Sequence, residues 1–364
     1  MPPHTTNPTR FHDRRRATRS RSGSALIVAV WVIALLSLMI GSFAFEMKLE
    51  SRIAGYYRQR LKAEQIARSG IEKARFLLYQ SSSIDPKNPS DAHAEKDWYD
   101  QARRLQEGLN VVRITDALGV GELNLTIVPE PSLINVNELK TLEDWEGVFD
   151  RAGIPEDQWP ILLDAFLDWI DPDDVPHPDG AESDDYYLTL EKPYRAKNAP
   201  LDTVDELLLI KGFTNTYYYG GVLESDGPGR DDETNTPPIR GLAGFLTTYG
   251  SRQVNINAAS LDVLQAISLD IDDSLAREII LEREGDPEFP EENTSYKNAD
   301  DFFNRFSDYP DLRNRLKDRI TTQSQILRIV SIGRVGDVTW TVSCIVEQVK
   351  GQLRILRWQE ETAL

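Results

Sequence analysis

Residues 24–45 read SALIVAVWVIALLSLMIGSFAF, 22 positions without a charge. At about 1.5 Å rise per residue, a helix of that length spans roughly 33 Å, enough for a bilayer core of about 30 Å. Upstream lie Arg10, Arg14, Arg15, Arg16, Arg19 and Arg21, opposed only by Asp13. Basic flanks stay on the cytoplasmic side, so the pattern predicts a single-pass anchor with everything after Phe45 exported. The run exceeds the roughly 7–15 apolar residues of a secretory signal core, and no A-x-A cleavage site follows it. The anchor is therefore expected to be retained.

The helical pattern continues beyond the anchor. From Glu46 to Gln80 there is no proline, and apolar residues recur at Leu49, Ile53, Tyr56, Tyr57, Leu61, Ile66, Ile71, Ala74, Leu77 and Leu78. Steps of three to five residues make one buried stripe. The expectation is one helix from Ser24 to Gln80, half in lipid and half against a soluble domain.

The 364 residues suffice for two domains besides the anchor. Net charge is −18, and setting aside the six Arg and one Asp of residues 1–23 leaves −23 for the remainder. Such a charge argues against nucleic acid and anionic lipid as partners of the exported part. The single cysteine, Cys344, has no intramolecular partner, and its place in VTWTVSCIVEQV predicts a buried strand position. The four histidines, His4, His12, His93 and His177, are scattered, so nothing suggests zinc.

Two regions read as β-structure. LNVVRITDALGVGELNLTIV (109–128) alternates and carries a turn at Gly119–Gly121; it predicts two strands. QILRIVSIGRVGDVTWTVSCIVEQVKGQLRILRWQE (325–360) predicts three, broken at Gly336-Asp337 and Lys350-Gly351. Between them, residues 130–325 are helical by pattern and hold 42 Asp and Glu against 17 Lys and Arg. The expected architecture is α+β: a long N-terminal helix packed on an antiparallel sheet, with a large helical insert. The divisions are 1–23 leader, 24–45 transmembrane segment, 46–129 exported helix and first strands, 130–325 insert, and 326–364 C-terminal strands. Two polar stretches, SSSIDPKNPSDAHAEKDW (81–98) and ESDGPGRDDE (224–233), read as loops. Asp272/Asp273 and Asp300/Asp301 read as helix starts, where negative charge is favourable.

The insert echoes itself. Leu133–Leu139 (LINVNEL) and Val254–Leu264 (VNINAASLDVL) share an N-x-N core, each followed by helical sequence. Asn135 and Asn255 sit where extended chain turns into helix, a position that suits asparagine. With Leu201–Phe213 (LDTVDELLLIKGF) these stretches look SAM- or helix-hairpin-helix-like. The turn Lys211-Gly212-Phe213 lacks the second glycine that lets amides approach a phosphate, and the surroundings are acidic. The units therefore read as a scaffold used without nucleic acid.

Residues 168–191, DWIDPDDVPHPDGAESDDYYLTLE, hold nine carboxylates, three prolines and no Lys or Arg. At about 4 Å and an effective dielectric near 20, each like-charged pair costs on the order of 4 kcal/mol. Two states avoid that cost: a solvated charge run, or an ordered loop around a hard cation. The apolar flanks Trp169-Ile170 and Tyr186-Tyr187-Leu188 favour order, and oxygen ligands select Ca²⁺ over Zn²⁺. The spacing is not that of an EF-hand.

The leader Arg21-Ser22-Gly23 followed by Ser24-Ala-Leu-Ile-Val28 resembles the type IV prepilin family. The resemblance implies cutting between Gly23 and Ser24 by prepilin peptidase, with methylation of the new N-terminus. Most members carry Glu at the fifth mature position, where it is thought to neutralise a neighbouring subunit's amine inside the helical bundle; here it is Val28. In this the chain is similar to the K-type minor pseudopilins of type II secretion systems, as it is in its length and acidic loop. That subfamily implies a pilin body with a calcium-binding insert. Carried across by residue, the implied ligands are Asp171, Asp173, Glu182, Asp184 and Asp185, with Asp168, Asp174 and Asp179 less well matched. It further implies an inner-membrane, mostly periplasmic subunit at the tip of a secretion pseudopilus, joined to the I and J minor pseudopilins through the N-terminal helix. No G-x-S-x-G, H-E-x-x-H, P-loop or Cys/His pair is present, so no enzyme is expected. The alternative function is a membrane-anchored periplasmic binding protein that captures DNA through its hairpin units.

Overall fold

The computed structural model describes residues 22–83, 112–222, 238–285, 295–349 and 352–363. Residues 1–21 of the expected leader, the loop residues 84–98 and the acidic stretch 224–233 lie outside the described residues. So does the break at Lys350-Gly351.

Helix α1 runs Ser22–Ser83, two to three residues longer at each end than the sequence reading. The chain divides into a first unit ending at Arg58 and a second from Gln59 to Leu364. In the first unit the helix is exposed along almost its whole length, including Leu26, Trp31, Ile33, Leu38 and Phe43. It is the one described helix long and apolar enough to cross a membrane.

In the second unit, the last turns of α1 pack on a five-stranded sheet. Its strands are β1 (Val112–Leu118), β2 (Gly121–Pro129), β7 (Ile326–Val335), β8 (Val338–Val349) and β9 (Gln352–Ala363). They lie in the order β1-β2-β7-β8-β9, every neighbour antiparallel. All five were legible from alternation and turns: Leu118 pairs with Gly121 and Val335 with Val338, leaving two-residue hairpin loops. The buried stripe of α1 (Ala63, Ala67, Ile71, Ala74, Leu77, Leu78) meets Leu123, Leu125, Ile127, Ile329, Val342 and Cys344 in one core. Small residues set the approach: a Cβ on Gly333 would collide with the Ala63 carbonyl. Cys344 is buried in β8, as its sequence context predicts.

The insert has its own, larger core, from Ile134 to Ile320. It contains two similar halves. In the first, β3 (Ile134–Asn135) leads to α2 (Leu142–Ala152), α3 (Trp159–Ile170) and α4 (Asn215–Tyr219), and closes with β4 (Leu246–Thr247) parallel to β3. In the second, β5 (Val254–Asn255) leads to α5 (Leu261–Ala266), α6 (Asp273–Glu284), α7 (Ala299–Arg305) and α8 (Pro310–Leu316), and closes with β6 (Ile320–Thr321) parallel to β5. The four two-residue strands have no local signature.

The N-x-N cores explain the echo. The first asparagine of each accepts the N–H two residues on, Asn137 N at 3.1 Å and Asn257 N at 3.0 Å. The second reaches across the fold. Asn137 donates to the Leu201 carbonyl (2.9 Å) and accepts from Leu201 N (2.8 Å). Asn257 does the same to Tyr296, at 2.9 and 2.8 Å. Both asparagines thus replace a strand neighbour for a buried stretch of backbone. Asp272 caps α6 through Leu275 N, and Asp300 and Asp301 fill the first turn of α7, as their spacing suggested.

Two buried carboxylates join these parts. Asp144 accepts from Lys140 N, Thr141 N and Thr141 Oγ1, and binds Arg252 from the link between the halves and Arg319 from the second half. Glu130, where the insert leaves β2, takes a two-point bond from Arg328 on β7 (2.6 and 2.7 Å) and the Thr247 hydroxyl. Such bidentate pairs fix geometry more than they add stability.

Candidate metal centre

The acidic loop starts on α3. Its buried face, Leu162, Ala165, Phe166 and Trp169, carries Asp168 inward with no exposed surface. The prolines at 172, 176 and 178 prevent the helix from continuing, and the chain turns back over its end. Asp168 organises that return. It accepts His177 N–H at 3.1 Å and Ala181 N–H at 2.6 Å, and pairs with His177 Nδ1. A side chain at 180 would strike the Asp168 carboxylate, so only glycine fits there.

The loop is held from outside by the Leu201–Phe213 stretch. Lys211 Nζ donates to the carbonyls of Gly180 (2.8 Å) and Asp179 (3.1 Å) and lies over the Tyr186 ring. Tyr187, fully buried, accepts Lys211 N–H on its hydroxyl and packs against Trp169 and Tyr194. The expected order of the loop is thus built from aromatic packing and one lysine.

Within this frame several oxygens lack partners among the described residues. Both carboxylate oxygens of Glu182 are buried and accept nothing, and the residue is 2% exposed. Asp171 Oδ1 and Asn198 Oδ1 are in the same state. Burial, then the charges of Asp168 and Asp171, push the Glu182 carboxyl up to about 7. Burial, then Asp173 and Asp168, raises Asp171. The bond to Asp168 raises His177 against the opposing effect of burial. A buried anion without a donor is expensive. A cation removes that cost, and an all-oxygen donor set of Asp and Glu carboxylates with an amide suits a hard ion such as Ca²⁺.

The nearest ligand atoms of Asp168, Asp171 and His177 lie within 4.8 Å of one another. The oxygens of Asp168, however, are already taken by N–H groups, so it acts as the organiser of the loop, and the carboxylate oxygens left without a hydrogen-bond partner are those of Glu182 and Oδ1 of Asp171. Of the other residues the sequence pointed to, Asp173 is exposed and its Oδ1 accepts Val175 N at 3.0 Å. Asp185 is exposed and its Oδ1 accepts Glu182 N at 2.8 Å; Asp184 is exposed. Asp174 bonds Asn198, and Asp179 offers its N–H to Asp164. Asn198 was missed because its place depends on contacts 24 and 25 residues away. Gly23 and Ser24 are helical in backbone.

Two family models match the insert and its approach: type II secretion system protein K, over residues 122–219 and again over 254–321. The chain is similar to type II secretion system protein K of Klebsiella pneumoniae, 28% identical over 214 residues, covering 54% of this chain and 59% of that protein. The Aeromonas hydrophila protein of the same name is 22% identical over 206 residues, covering 55% and 61%. The matched part thus spans about six-tenths of the length of these relatives. The crystal structure of the GspK-GspI-GspJ complex from the enterotoxigenic Escherichia coli type 2 secretion system superposes with a TM-score of 0.57 at 16% identity, covering 86% of this chain and all of that one. That likeness is one of fold. In its two matched segments, the chain is similar to the type II secretion system protein K family.

Proposed function

We propose that this protein is a minor pseudopilin that starts or caps a secretion pseudopilus, rather than forming its shaft. The observation that carries the reading is a pilin-type helix-on-sheet body interrupted by the two family-matched halves of the insert. An insert of that bulk suits a terminal subunit, because repeated at each step of a helical pilus it would collide with its neighbours. Val28, in place of the pairing glutamate, supports the same position.

In this reading prepilin peptidase removes residues 1–23, α1 anchors the protein in the inner membrane with a cytoplasmic N-terminus, and the body is periplasmic. Its partners are the I- and J-type minor pseudopilins, met along the N-terminal helix. Its work is assembly, without catalysis or nucleic acid. Ca²⁺, held by Asp171 and Glu182 with the loop acids Asp173, Asp184 and Asp185 nearby in sequence, would neutralise the buried carboxylates and rigidify the insert. The test is deletion of the gene in its own host, followed by assay of the culture medium. Loss of exported proteins, with their retention in the periplasm, is expected; unchanged export overturns the reading.

A further inference from the structure

We infer that Glu130, Arg328 and Thr247 form an orientation lock at the neck of the insert. With the lock closed, the insert is held at one angle to the sheet. With it broken, the insert swings as a unit while both cores stay folded. The inference concerns how the insert is carried and does not depend on the proposed place at a pilus tip.

The insert is attached narrowly. The chain leaves the sheet at Pro129–Pro131 and returns to it at residues 322–326. No described residue belongs to both hydrophobic cores: one is drawn from Ile134 to Ile320, the other from α1 and the five strands. The β2–β7 ladder ends with Pro129 opposite Leu327, and Pro129 and Pro131 have no N–H with which to carry pairing further. Beside the neck lies a cleft of about 680 Å³, lined by Glu138, Gly250 and Gln253 on one side and by Ile326 and Glu347 of the sheet on the other. A narrow, polar junction leaves relative motion as the default. Apolar packing does not fix the angle here, so directional bonds must.

Glu130 supplies them. It is 1% exposed. Its Oε1 accepts from the Thr247 hydroxyl at 2.5 Å and from Arg328 Nη2 at 2.6 Å, and its Oε2 accepts from Arg328 Nε at 2.7 Å. Arg328 lies opposite Val128 in the sheet, so one end of the lock belongs to the body. Thr247 pairs with Asn135, so the other end belongs to the first half of the insert. Asp144 joins that half to the second through Arg319, so both halves move together. A guanidinium fork that grips both carboxylate oxygens resists rotation, which a single contact does not. Thr247 adds a third point from the insert side. A buried pair of this kind adds little net stability, so replacing both partners by apolar residues should free the angle without unfolding either part.

The test uses the full chain in detergent, with nitroxide labels at Asp337→Cys in the sheet and Glu156→Cys in the insert, both exposed positions. Cys344 is 1% exposed and stays unlabelled. Double electron–electron resonance reads the distance between the labels. Glu130→Leu with Arg328→Met removes the lock and leaves no buried charge behind. The wild type should give one narrow distance distribution, and the double variant one about twice as wide or wider. Hydrogen-exchange protection of the Leu201 amide in the insert and the Val342 amide in the sheet should be retained. An unchanged width in the folded double variant overturns the lock. A broad distribution in the wild type also overturns it, because the insert then swings with the pair intact. So does loss of exchange protection in either core, since the pair would then hold the fold rather than the angle.

Discussion

Replacing Asn137 or Asn257 by alanine tests whether the N-x-N cores are structural. Each side chain satisfies one N–H and one C=O on a residue almost fully enclosed: Leu201 is 3% exposed and Tyr296 2%. Alanine leaves both groups without a partner, at about 1–3 kcal/mol for each unsatisfied group. Allowing for partial rescue by water, each substitution should cost about 2–4 kcal/mol. Because the two clamps lie in different halves and share no partner, the double variant should lose close to the sum. Hydrogen exchange of the intact protein reads this locally. A cost of 2–4 kcal/mol lowers the protection of the Leu201 or Tyr296 amide by about 30- to 1,000-fold. Asn→Asp at either site should be at least as harmful, because it removes the donor and adds a charge facing a carbonyl. Unchanged protection at both amides would refute the reasoning. It would favour the alternative in which these residues face a nucleic-acid phosphate and substitution lowers DNA binding.

Three other outcomes follow from the same geometry. Glu182 is raised from the usual carboxylate range to about 7 and His177 is also raised, so both stabilise the metal-free fold at low pH. That contribution of Glu182 is complete below 4.5 and is lost as pH rises through about 7; the melting point gained on adding calcium should therefore be larger at pH 8 than at pH 5, and an equal gain at both would contradict it. Lys211→Met removes the ammonium that holds the Asp179 and Gly180 carbonyls, and it should raise exchange at residues 179–182 while leaving the sheet unaffected. Gly23→Val should block leader removal without preventing membrane insertion, visible as an intact mass that retains residues 1–23.

The sheet was legible because each of its strands carries its own evidence. Alternation in β2, β7 and β8 places Leu123, Leu125, Ile329 and Val342 on one face, and Gly336-Asp337 marks the hairpin. The helix α1 was legible through its apolar spacing, but its buried stripe is shorter than that spacing suggested: Leu49, Ile53, Tyr56, Tyr57 and Leu61 are exposed, and burial begins at Ala63, where the helix meets the sheet. Strands β3 to β6 were not, since Ile134 pairs with Leu246 and Val254 with Ile320, and two residues cannot show a period. At the candidate site, carboxylate density located the loop but not the geometry within it. Asp168 and Asp185 turn their oxygens to backbone N–H groups, whereas both carboxylate oxygens of Glu182 and Oδ1 of Asp171 are left without a hydrogen-bond partner. That division depends on how residues 176–181 fold back over α3. No spacing rule reports it, and the same is true of Asn198 with its left-handed backbone.

The central claim is that this chain works as one copy in an assembly with two other minor pseudopilins. The most direct measurement is native mass spectrometry of the full chain, co-expressed with the I- and J-type pseudopilins of the same genome and extracted in detergent. The account predicts a single heterotrimer with one copy of each. Elution of this chain alone, or as a homopolymer without the other two, would contradict it.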